Sequence, residues 1–80
     1  MDELALARRH VVLAEEYVVR QREIVAELER DGHDVSRSQQ LLAQFEEVYQ
    51  LHVADRDRLE RELIEASKQT PWPPPMPGRP

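Results

Sequence analysis

From Leu4 onward, apolar or small residues recur in alternating steps of three and four, at Leu4, Ala7, Val11, Ala14, Val18, Val25 and Leu28, with Gln21 in the one polar position. A mean step of 3.5 residues is the heptad seam of an α-helix that lies along another helix. Leu6, Leu13, Tyr17 and Ile24 flank the seam at helical spacing and widen its apolar face. Val12 and Val19, with Ala5 and Ala26 at the same interval, add a thinner third stripe among charged residues. The pattern predicts a first helix over about residues 3–31. A second run, over about 36–68, carries Leu41, Leu42, Phe45, Val48, Tyr49, His52, Leu59 and Leu63 on one face, with Val53 and Ile64 at its margin.

The pattern breaks between the two runs, at Asp31-Gly32-His33-Asp34-Val35. Gly32 follows a charged run, where helices close on a left-handed residue that glycine adopts without strain. Ser36 and Gln39 have the S-x-x-Q spacing of a capping box, which starts the second helix at Ser36 or, alternatively, at Asp34. A turn over 32–35 is too short for anything but side-by-side, antiparallel helices. The expected fold is therefore all-α, an antiparallel two-helix hairpin of coiled-coil type over residues 1–69. Folding the runs together about this turn aligns Leu28 with Leu42, Val25 with Phe45, Gln21 with Tyr49, Val18 with His52, Ala14 with Arg56, Val11 with Leu59 and Ala7 with Leu63. Apolar layers then meet apolar layers at both ends, and the middle is polar.

Size changes what this face implies. A chain of 80 residues without cysteine has neither disulfides nor a cysteine zinc site to stiffen it. A core of this size supplies only about 3–5 kcal/mol, and association is the usual remedy. Leu13, Tyr17, Ile24, Leu42 and Val53 form the expected self-association face, through which two hairpins make a four-helix bundle as a homodimer.

Thr70 precedes Pro71, which ends the second helix, and the chain continues as Pro71-Trp72-Pro73-Pro74-Pro75-Met76-Pro77-Gly78-Arg79-Pro80. This composition predicts a disordered, extended tail over 70–80. Pro74, Pro77 and Arg79 match the P-x-x-P-x-R form read by SH3 grooves, and Trp72 is an apolar anchor for the hairpin's own open end or for a partner, but short proline tracts match such forms easily by chance.

The formal net charge of -5 disfavours nucleic acid, and Arg8-Arg9 and Arg20 with Arg22 are flanked by glutamates. No apolar run approaches the ~18 residues of a membrane span, and the acidic start Met1-Asp2-Glu3 is unlike a signal peptide. The expectation is a cytoplasmic protein without a membrane partner.

Candidate chemistry is sparse. Gln21, Tyr49, His52 and Arg56 are expected to form a polar core layer that sets helix register. His10 stands about eight residues from the His52 layer on the expected alignment, on the order of 12 Å at 1.5 Å per residue, so no shared ion, metal or cofactor is expected. His33-Asp34 at the turn faintly resembles a phosphoacceptor histidine, but a helix cap with an incidental histidine is the simpler reading.

Three stretches carry a resemblance: Arg20-Gln21-Arg22-Glu23-Ile24-Val25-Ala26-Glu27-Leu28-Glu29, then Asp31-Gly32-His33-Asp34, then His52-Val53-Ala54-Asp55-Arg56-Asp57-Arg58-Leu59. In these words, and in Leu41-Leu42 to Phe45-Glu46-Glu47, the hairpin resembles small helical-hairpin hypothetical proteins of alphaproteobacteria, notably rhizobia. The resemblance brings no activity with it. The functional expectation is a non-enzymatic protein–protein interaction or structural module. The alternatives are a small regulator of a larger enzyme or signalling protein through helix–helix contacts, and a minimal histidine-based phosphotransfer or metal-binding protein.

Overall fold

A computed structural model describes residues 2–69 and Gly78. Two helices, α1 (Glu3–Arg30) and α2 (Ser36–Gln69), pack against each other as an antiparallel hairpin. The proline-rich tail, and with it Trp72, Pro74, Pro77 and Arg79, lies outside the described residues.

Both ends of α1 are closed by local devices. Asp2 caps α1, its carboxylate accepting the backbone N–H of Ala5 at 2.7 Å, while Glu3 adds negative charge at the positive end of the helix dipole. At the other end Gly32 takes φ +75°. This lets the His33 N–H reach the Leu28 carbonyl at 2.9 Å and the Gly32 N–H reach the Glu29 carbonyl at 3.1 Å. The two bonds are the 6→1 and 5→2 pair of a Schellman motif, and they satisfy carbonyls that the helix end would otherwise leave open.

The start of α2 differs from the expected capping box. Val35 supplies the first helical acceptor, its carbonyl taking the Gln39 N–H at 2.8 Å. Asp34 does the capping: its Oδ1 accepts both the Ser36 N–H at 2.9 Å and the Ser36 hydroxyl at 2.8 Å. Ser36 is thus already helical, and its hydroxyl is spent as a donor rather than held as a cap. These two bonds also hold the Asp34 carboxyl below its ordinary value, the backbone bond contributing most.

The buried side of α1 is Ala7, Val11, Ala14, Val18, Gln21 and Val25, the expected seam. On α2 the facing residues Ser38, Leu42, Phe45, Tyr49, His52, Arg56 and Leu59 are half-buried, again in heptad steps. The core is therefore asymmetric. Small residues on α1 admit α2 closely, and the larger α2 side chains straddle them without being fully enclosed.

The register departs from the expected alignment. Arg22 pairs with Glu46 instead of standing level with Val48, and Tyr17 meets Phe45 instead of Val53. Leu63, expected over Ala7, is 57% exposed, as is its neighbour Ile64 at 53%, because α2 outruns the start of α1. Part of the difference lies in the turn. The connection between Arg30 and Ser36 is centred on His33, whereas the expected pairing was centred on Val35, and this displacement moves each partner by four residues, half of the eight by which Tyr17 and His10 change partner.

Candidate functional site

The two flanks of the seam have opposite character. On one, Arg8 pairs with Glu60 and Arg22 with Glu46, each at 3.3 Å, so ion pairs stitch α1 to α2. Val53 lies one heptad after Glu46 and one before Glu60, and so belongs to this charged flank. An open groove here is lined by Val18, Val19 and Tyr49 beside Arg22 and Glu46.

On the other flank, cross-helix contacts are aromatic. The Tyr17 and Phe45 rings lie 5.7 Å apart and the His10 and His52 rings 5.1 Å apart. His10, Tyr17 and Ile24 form one heptad stripe of α1, with Leu6 and Leu13 on the next stripe outward. Leu41, Val48 and Asp55 form the facing stripe of α2, with Leu51 beside it. Tyr17 is 61% and Leu51 65% exposed, and Leu6, Leu13, Leu41 and Val48 are also exposed. One flank of the hairpin is therefore broadly apolar along its middle.

Of the expected self-association face, Leu13, Tyr17 and Ile24 lie on this flank. The other two do not: Leu42 is half-buried in the seam, on the stripe of Tyr49 and Arg56, and Val53 is on the charged side. Leu51 was missed because its own heptad stripe, Arg37, Gln44 and Arg58, is polar; its place beside Leu41 and Val48 was the available signal.

The expected polar layer does not assemble. Gln21 is the one buried polar residue among those described, and its Nε2 donates to the Ser38 carbonyl at 2.9 Å, toward the turn and away from Tyr49 and His52. Arg56 turns to its neighbour, its Nε and Nη2 both donating to Asp57 Oδ1, at 3.1 and 2.9 Å. That bond, with the carboxylate's charge, raises the Arg56 pKa above its ordinary value. Arg58 is likewise held charged by hydrogen bonds to Asp55 and Glu62.

His10 is the largest correction. Expected about two turns from the His52 layer, it instead lies beside His52 across the helices, their rings tilted to each other, because the register carries His52 toward the start of α1. His33 is exposed in the turn, where its backbone, rather than its ring, closes α1. Among the described residues no group of three or more His, Cys, Asp or Glu side chains is placed to hold a metal ion, and no helix is long and apolar enough to cross a membrane. Compared with known proteins, the chain matches no family model, no curated protein and no solved structure.

Proposed function

We propose that this hairpin is a non-enzymatic interaction module that pairs with a second copy of itself through the apolar flank, giving a four-helix bundle. The observation that carries the reading is the contrast between flanks: one is bridged by interhelical ion pairs, while the other leaves Tyr17, Leu51, Leu13 and Val48 in water. Contiguous exposed apolar surface of this kind marks a contact site, whereas single scattered valines do not.

The small size of the core favours a second copy as the occupant. Covering the flank supplies the apolar burial that a core of small α1 residues lacks.

The test is sedimentation equilibrium at micromolar concentration on the wild type and on Tyr17→Glu/Leu51→Glu. Both positions are exposed, so the variant's fold should survive. Wild type is expected at twice the 9.4 kDa chain mass, with the variant shifted to monomer. A wild type that sediments as a folded monomer would refute the proposal.

A further inference from the structure

The His10–His52 contact places two imidazoles, one from each helix, at a spacing with chemical meaning. An imidazole bound through nitrogen sets its ring centroid about 3.2 Å from a zinc ion, so two of them at a tetrahedral angle stand about 5.2 Å apart. The observed separation is 5.1 Å, with the rings inclined by 52° rather than stacked flat. Among the described residues neither imidazole makes a hydrogen bond or ion pair with another group, so ring nitrogens are free to act as ligands. Both residues are half-buried, so each keeps part of its surface open to solvent in the single hairpin.

We propose that His10 and His52 form a two-histidine clip for a divalent transition ion, with water completing its coordination. Two neutral nitrogen donors suit zinc and copper and reject magnesium and calcium, which need oxygen ligands. The surroundings tolerate a cation. Arg56, one turn after His52, is tied to Asp57, and Arg58 is tied to Asp55 and Glu62, so neither guanidinium faces the site without a counter-charge. The two ligands come together only through the tertiary fold, so the ion binds the hairpin more tightly than the unfolded chain, and it links α1 to α2 near the open end.

The experiment is titration of the full chain with zinc chloride and copper chloride in a non-chelating buffer, followed by calorimetry and thermal melting, with magnesium chloride as the control. Expected are one ion per chain, tighter binding of copper than of zinc, and no response to magnesium. Above the dissociation constant, each tenfold rise in free ion should raise the folded-to-unfolded ratio about tenfold. His10→Gln and His52→Gln should each abolish binding, with helicity checked by circular dichroism, and His33→Gln should leave it intact. Should either variant fail to fold, wild-type NMR decides: zinc must shift the ring signals of His10 and His52 and spare those of His33. Binding that survives in a folded His10→Gln or His52→Gln chain would overturn the proposal. So would zinc shifts confined to His33, one ion per two chains, or no bound ion at millimolar concentration.

Discussion

Replacing Gly32 tests the turn on which the whole register depends. Its φ of +75° is a left-handed conformation, and a Cβ built there meets no atom within 4 Å, so the effect of a side chain is backbone strain alone. For an L-residue that strain is roughly 1–2 kcal/mol. Alanine also narrows the unfolded ensemble, which returns about 0.4–1 kcal/mol. Gly32→Ala is thus expected to destabilise the hairpin by on the order of 1 kcal/mol, or about 4–8 °C in thermal midpoint for a domain of this size. The mirror-image residue separates strain from any other cause. D-alanine at position 32, introduced by chemical ligation, prefers positive φ, so it keeps the Schellman bonds, gains the entropic term and should raise the midpoint by a few degrees. Thermal and urea denaturation of the three chains at one fixed protein concentration reads both signs, fixed because self-association makes the midpoint concentration-dependent. A neutral L-alanine variant, or a D-alanine variant less stable than wild type, would refute the assignment of this turn.

Two further substitutions probe the buried and capping polar groups. Gln21→Leu removes one interhelical hydrogen bond, a net loss of about 0.5–1.5 kcal/mol. The Ser38 carbonyl keeps its own helical bond, so nothing is left unsatisfied, and leucine adds apolar burial. Urea denaturation should therefore show it near wild type or above, and Gln21→Ala clearly below. Asp34 titrates below its ordinary value in the folded chain, so its contribution is present above the unfolded value near 3.8 and is lost as pH falls through the lower folded one. Asp34→Ala should remove that part of the acid sensitivity in melts taken between pH 5 and pH 2 (about the range of carboxylate titration). Identical acid slopes in the two chains would contradict it.

The two helices, their ends and the α1 seam were legible in the residues, because heptad spacing and the Gly32 stop are properties of local chain geometry. Ala7, Val11, Ala14, Val18, Gln21 and Val25 need no partner to be recognised as one stripe, and six of these positions are the ones buried. The pairing of the stripes was not legible. An antiparallel seam accepts several registers, since apolar residues repeat along both helices, and the choice rests on how Asp31 to Val35 turn. A Schellman end and an Asp34 cap centre that turn on His33, which supplies four of the eight residues by which the partner of His52 moves from Val18 to His10. In the register that results, Leu63 is exposed, Gln21 bonds to the Ser38 carbonyl and the expected polar layer does not assemble. Flank identity, too, needed both helices at once: a stripe on α1 reads as apolar or charged by itself, but only its partner on α2 decides whether it is covered. Sequence by itself thus determined the elements and their inward faces, through periods written within each helix. Tertiary structure alone decided which side chains meet across the seam, because that depends on the turn's three-dimensional closure and on the size of both partners at every layer.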